Sequence, residues 1–361
     1  MKKQIITAFI GIIVAFLAGF IIMALQGYNP AASYYQLFSY SLFSRFALFT
    51  TLNKAAPLIL TGLSAAIGFA SGAVNLGQVG QFLIGAMGVT AVGLWVDLPA
   101  PVMIPLLIAV ALSAGAFYAG IAAFLRVKFN MDEFITTLML NFLAGFFTLY
   151  LISGPMIDEK MYSPMTPMIN RGGWFPQFGG LNFAFFLAVA ALAVIYFIWN
   201  YTKIGYEWKV MGRNALFAKV GGCDNQKNYV RVMLVSGALA GLAGAIMVLG
   251  GMQHRFVKGI DANYGWDGVM IAIVANNGVI GTGLYALFFA MLQTGAMGME
   301  LETSVPSEFV LVLQAITVLF VVASRESAHL LFNRISVLLR LRKVRSQERV
   351  SKGDDSDAAF D

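Results

Sequence analysis

Charge is scarce in this sequence: 12% of its 361 residues are Asp, Glu, Lys or Arg, while 59% are hydrophobic. A water-facing shell needs more charge than that, so a soluble globular domain is excluded. Cysteine is almost absent. The single Cys223 rules out a disulfide within the chain. Only two histidines occur, His254 and His329, far apart and near the ends of apolar runs, which argues for interfacial residues and against a catalytic or metal cluster. No Gly-x-x-x-x-Gly-Lys-Ser/Thr sequence is present, so the chain does not hold ATP in the P-loop manner. Ionisable groups are also rare inside the apolar runs: Glu133 begins one, and Asp267 sits one turn into another. A carrier driven by an ion gradient places charge deep in the bilayer, so the energy source is expected in another chain.

Long apolar runs are what the sequence does have. Mean hydropathy is +0.76, and the runs have the length of spanning helices rather than the ten-residue alternation of an outer-membrane barrel. The expected fold class is therefore an all-α polytopic membrane protein. Expected spans cover about 4–25, 55–70, 81–96, 101–125, 133–152, 182–199, 231–252, 264–277, a run ending near Met299, and 308–323, which makes ten. The first is read as a span rather than a signal peptide, since its apolar run is long and no small-x-small cleavage site follows. The aromatic stretch 26–53 is expected to be external, with a helix lying in the interface. The Pro- and Gly-rich stretch 153–181 is expected to be an external loop. A membrane-embedded region of 1–325 is followed by a tail, 326–361, that is basic and then acidic and is expected to be partly disordered. Net charge is +6, and Lys and Arg fall mainly on one set of loops. That bias places both termini in the cytoplasm and implies contact with lipid rather than with nucleic acid.

The most polar interior segment is Asn200–Arg231, which carries Lys203, Lys209, Arg213, Lys219, Lys227 and Arg231 between two apolar runs. It reads as a cytoplasmic loop, with a short helical turn at 216–220 between Gly212 and Gly221. Either a docking surface or a solvated connector fits that composition.

Spans 2 and 8 are short, as broken or re-entrant helices are. Each lies beside an Asn-x-Gly-x-x-Gly sequence, Asn75-Leu-Gly77-Gln-Val-Gly80 and Asn276-Asn-Gly278-Val-Ile-Gly281. Paired Gly-interrupted segments in two halves mark the translocation path of many transporters. Side chains able to line a path for an uncharged polar solute are Asn75, Gln78, Gln81, Asn141, Trp266 and Asn277, with Asp267 the ionisable group beside them. Hydrogen bonding between packed helices is the competing role for each. No catalytic or metal-binding set is expected.

Several stretches together resemble the permease subunits of bacterial ABC importers in the ribose, branched-chain amino-acid and nucleoside group. They are Thr51–Gly62, Asn75–Gly77 with Gly80-Gln81, Met131–Asn141, Gly205–Gly222, Ser236–Ala245, Gly265-Trp-Asp267-Gly268 and Val305–Glu308. The match runs over residues 1 to about 325 and is nearest to nucleoside permeases. The resemblance implies that Gly205, Glu207, Gly212, Asn214, Ala218 and Gly221 belong to a coupling segment that fits a groove of a cytoplasmic ATPase. It also implies that ATP and magnesium are held by that ATPase and not by this chain, that a second permease chain completes the pathway, and that an external binding lipoprotein delivers the nucleoside. The location implied is the bacterial inner membrane. Ribose-like sugars are the alternative substrate, and an autonomous carrier or channel is the alternative class. Two positions depart from the family pattern: Val79, where an acidic residue is common, and Ala275-Asn276-Asn277, where Gly-Gly-Asn is common.

Overall fold

The structure is a computed structural model that describes residues 2–323, with side chains from residue 10. The acidic and basic tail and His329 therefore lie outside the described residues.

Two compact units are present. In the first, α1 (Lys2–Leu25) lies against the second half of α13 (Phe309–Ala323). A carbon added to Gly11 would sit 2.8 Å from the Cα of Val321, so these two helices touch backbone to backbone.

The second unit, Tyr28–Val310, holds α2 (Pro30–Phe43), α3 (Arg45–Ala70), α4 (Gln78–Trp95), α5 (Ala100–Phe129) and α6 (Glu133–Ser153). After a short hairpin of β1 (Gln177–Phe178) and β2 (Leu181–Asn182), it continues with α7 (Phe183–Tyr201), α8 (Lys203–Arg213), α9 (Ala215–Val220), α10 (Asn225–Leu249), α11 (Tyr264–Val274) and α12 (Val279–Thr303). Seven helices, α3 to α7 with α10 and α12, are long and apolar enough to cross a membrane. Three shorter apolar helices are Ile10–Leu25, Tyr264–Val274 and Phe309–Ala323.

The core is built on close backbone contact. Helix α10 carries Gly237, Gly241 and Gly244, and a carbon on any of them would collide with the backbone of Gly115, Ala111 or Phe82 respectively. Small residues thus let α10 press against α5 and α4, the arrangement that substitutes for hydrophobic drive inside lipid. Arg126 pairs with Glu133 at 3.0 Å and closes the α5–α6 turn, so that carboxylate is accounted for.

Two expectations need correcting. The second span is not short. It is the 26-residue α3, which begins at Arg45 and encloses Lys54 and Pro57. Ser44 both ends α2 and caps α3, its Oγ accepting from the Ala47 amide. The aromatic helix before it, α2, also does more than lie at the headgroups. Its Ser33, Leu37 and Ser41 are buried, and it lies against α12, where Gly295 meets Leu37 and Gly298 meets the Tyr40 ring. Helix α11, by contrast, is short as expected: 11 residues, about 16 Å of rise against a hydrocarbon thickness of about 30 Å.

The stretches 154–182 and 250–263 interlock as a cap. The Thr166 amide donates to Phe256 O at 3.0 Å, and the Ile169 amide donates to His254 O at 2.9 Å. Arg255 pairs with Asp158 at 3.2 Å with both side chains mostly buried, and the Trp174 and His254 rings stack with centroids 3.9 Å apart.

Candidate functional site

The polar insert 200–231 folds into two helices and the start of a third, because three capping residues divide it. Thr202 Oγ1 accepts from the Gly205 amide at 3.2 Å and starts α8. Asn214 Oδ1 accepts from the Phe217 amide at 2.9 Å and starts α9. Asp224 Oδ1 accepts from the Lys227 amide at 3.1 Å and starts α10. That amide bond, ahead of the Lys227 ammonium, holds the Asp224 carboxyl below its usual range.

Helix α8 is fixed on every side that faces the protein. Gly205 lies against the Ile198 carbonyl and Trp199 at the end of α7. Gly212 lies against the Ala70 carbonyl at the end of α3. Glu207 accepts from Asn228 Nδ2 of α10 at 2.9 Å. Trp208 and Met211 are buried beneath it. Lys209 lies over the Trp199 ring, 5.4 Å from its centroid, and donates to Asn200 Oδ1. Partial burial, then the nearby Arg213 charge, lowers its pKa.

Helix α9 splits into an inner and an outer side. Ala218 is 1% exposed, so it packs inward. Leu216, Phe217 and Val220 are 74%, 64% and 83% exposed, leaving three large apolar side chains uncovered on a six-residue helix. Composition alone did not pick these out, because they look like ordinary helix formers until Ala218 is seen to face inward. Gly221 follows as the C-cap. The elbow of α8 and α9 thus touches the ends of α3, α7 and α10 while offering an apolar outer face.

The Asn75 amide lies deeper, fully buried. Its Nδ2 donates to Ser236 Oγ at 2.7 Å and to Gln81 Oε1 at 3.0 Å. Its Oδ1 accepts from the Gly77 amide and from Gln81 Nε2, both at 2.9 Å. Ser236 in turn donates to Ser64 O at 2.8 Å. Asn141 clamps the same segment from α6, accepting from the Gly80 amide and donating to Leu76 O, both at 2.8 Å. Four of the residues singled out in the sequence are thus brought together: Asn75, Gln78, Gln81 and Asn141 tie the non-helical stretch 71–77 into the interior. Backbone released from a helix at membrane depth requires such partners. Gln78 is bonded through its Nε2 to Asn75 O, while its buried Oε1 has no partner among the described residues.

The second Asn-Gly sequence occupies the matching place. Gly77 and Gly278 are the N-caps of α4 and α12, and neither helix has a side-chain cap. The conformations differ: Asn276 and Asn277 adopt φ of 53° and 57° to reverse the chain after α11. The Asn277 amide closes α11 onto Ala272 O at 2.8 Å, and its buried Oδ1 is unpartnered among the described residues. Asp267 is buried and accepts from Gln293 Nε2 of α12 at 2.8 Å. Trp266, its neighbour, points outward and is 42% exposed. The two halves touch where Gly265 of α11 lies 2.6 Å, by its added carbon, from the Val79 side chain.

At the opposite end of α3, α7 and α10 from the elbow is a cavity of about 720 Å³, walled by Phe49, Lys54, Asn182, Met247 and Tyr264 among others. Among the described residues, no cluster of His, Cys, Asp or Glu suits a metal ion.

Residues 47–322 match the family described as branched-chain amino acid transport system / permease component. The chain belongs to this permease family. Similar proteins include the glucose ABC transporter permease protein TsgB13 of Haloferax volcanii, 33% identical over 88% of this chain and 87% of that protein. The guanosine ABC transporter permease protein NupP of Bacillus subtilis is 32% identical over 89% and 94%, and the nucleoside ABC transporter permease protein NupB of Lactococcus lactis is 33% identical over 88% and 91%. No solved structure matches the chain. This permease is accordingly a multi-pass membrane protein and an ABC permease subunit, a transport component rather than an enzyme.

Proposed function

We propose that this permease forms half of the pathway of an ATP-driven importer for nucleosides in a bacterial plasma membrane. The observation that carries this reading is the α8–α9 elbow, whose outer Leu216, Phe217 and Val220 are uncovered while its inner side is bolted to three helices. A cytoplasmic ATPase covers that apolar face, and its movement on ATP hydrolysis is passed as a rigid-body shift through Gly205 and Gly212 to α7 and α3. ATP and magnesium stay on the ATPase. The α8–α9 end is cytoplasmic, as are both termini, and the cavity end faces outward toward a substrate-binding lipoprotein. About ten spans are counted by adding the three shorter apolar helices to the seven long ones. A second, related permease chain supplies the other half.

Nucleosides are favoured because two of the similar proteins carry that substrate class in their names. A sugar is the second reading, supported by the glucose permease of Haloferax volcanii. Uptake of tritiated guanosine in vesicles holding the whole transporter, competed by unlabelled uridine or by glucose and ribose, separates them. Guanosine uptake competed by uridine and not by the sugars supports the first reading; no guanosine uptake, with uptake of labelled glucose or ribose by the same vesicles, supports the second.

A further inference from the structure

The cavity at the outer end of α3 is unusually one-sided in charge. Its wall includes Arg45 and Lys54 and no acidic residue. Most of its polar groups are already committed. Asn53 Nδ2 donates to Gly180 O at 3.0 Å, and its Oδ1 accepts from the Asn182 amide at 2.8 Å. Asn182 Nδ2 donates to Gly250 O and its Oδ1 caps α7. Thr50 donates to Phe46 O at 3.0 Å. The Arg45 guanidinium lies over the Phe49 ring, 5.7 Å from its centroid.

Lys54 is not so committed. It sits inside a membrane-crossing helix, where an ammonium is costly and marks function by default. Its Nζ has only a long 3.4 Å bond to Gln293 O and a 3.8 Å approach to the Met297 sulfur. Among the described residues it forms no ion pair. An ammonium carries three donors, so donor capacity remains at the wall of the cavity. Phe46, Phe49 and Tyr264 line the same space with rings, and its volume is that of a small-molecule site.

We propose that this cavity is a solute vestibule on the transport path, in which Lys54 donates hydrogen bonds to a ring-bearing, neutral or anionic solute and repels cations. The proposal rests on the importer reading above and adds the place and the charge rule of recognition. Asp267 belongs to the same arrangement at one remove: Gln293 holds Asp267 through its side chain and Lys54 through its backbone oxygen. Among the described residues no ion pair joins the Asp267 carboxylate to the Lys54 ammonium.

The test uses the full chain with its partner subunits in right-side-out vesicles. Thr50→Cys, and separately Gln177→Cys, are placed in a Cys223→Ser background and labelled with a membrane-impermeant maleimide, with and without adenosine. Adenosine is expected to slow labelling. Lys54→Gln should weaken that protection about tenfold, the scale of one hydrogen bond from a charged donor. Lys54→Glu should transfer protection to 5′-amino-5′-deoxyadenosine, a cation. Equal labelling at both cysteines with and without adenosine would overturn the vestibule, as would protection that ignores the charge at residue 54. Uptake is read separately in vesicles bearing the unaltered chain, so a missing ATP dependence counts against the importer reading and missing protection against the vestibule.

Discussion

Gly212 of α8 lies against the carbonyl of Ala70, the last residue of α3, with no room for one added carbon. The α8–α9 elbow is therefore packed directly onto the end of α3, a helix long and apolar enough to cross a membrane. That helix carries Lys54 and the cavity wall in its first half, Lys54 lying about 24 Å from Ala70 at 1.5 Å per residue.

Gly212→Val is expected to push α8 off α3. Uptake should fall by an order of magnitude or more, while the ATPase still binds and still hydrolyses ATP. Hydrolysis and uptake measured on the same vesicles check this. Loss of both in parallel would indicate that the elbow had simply unfolded.

The outer face of α9 makes a different prediction. Leu216→Asp with Val220→Asp should leave membrane levels of the permease unchanged and abolish co-purification of the ATPase, because both side chains are exposed. Ala218→Glu buries a charge instead and should lower the amount of folded protein. Membrane abundance and pull-down of the ATPase distinguish the two effects.

The apolar runs made the helices legible in the sequence, and the repeated Asn-x-Gly-x-x-Gly pointed to the starts of α4 and α12. The boundaries were harder to read. Span 2 seemed short because Lys54 and Asn53 look like the end of a membrane run, whereas Ser44 caps a helix that carries both inside. The insert 200–231 read as a loop with one turn because its caps, Thr202, Asn214 and Asp224, are visible only when each is matched to an amide three residues on. Which side of α9 faces out depends on tertiary contact, and so does the choice of Leu216, Phe217 and Val220. The wiring of Asn75 to Ser236, 161 residues away, has no local signal at all.

Asn75→Leu and Asn277→Leu should part company. The first removes partners from the Gly77 amide and from the Gln81 side chain, both buried, at about 1–3 kcal/mol for each group left unsatisfied. Folded yield and thermal stability should drop sharply. The second removes an oxygen that is already unpartnered but places Leu at a φ of 57°, a strain of about 1 kcal/mol, so stability should fall less than for Asn75→Leu and a disproportionate loss of uptake reports on the path. Melting curves in detergent beside uptake assays decide.

The Trp174–His254 stack gives a pH prediction. Burial lowers the His254 pKa below the usual imidazole range, so the folded cap binds its proton less readily than the unfolded chain does. Stability from this group is present above about pH 6.5 and is lost as pH falls through that value toward the lowered one. The melting temperature should fall between pH 7 and 5, with a rise in Trp174 accessibility to acrylamide. His254→Phe should reduce that slope. An unchanged slope would show that other groups set it.

Asn214→Ala removes the cap of α9 and should cost about 1 kcal/mol of local helix stability. Hydrogen exchange at the Phe217 amide should rise accordingly, with coupling to the ATPase weakened rather than abolished.

The most direct test of the whole account is ATP-dependent uptake of radiolabelled nucleoside into sealed vesicles. The permease is produced alone, and then with its ATPase, second permease and binding lipoprotein. Uptake is expected only with all partners and ATP present. Accumulation by the permease alone, without ATP, would contradict it and would direct attention to Lys54 and Asp267 as an ion-coupling pair.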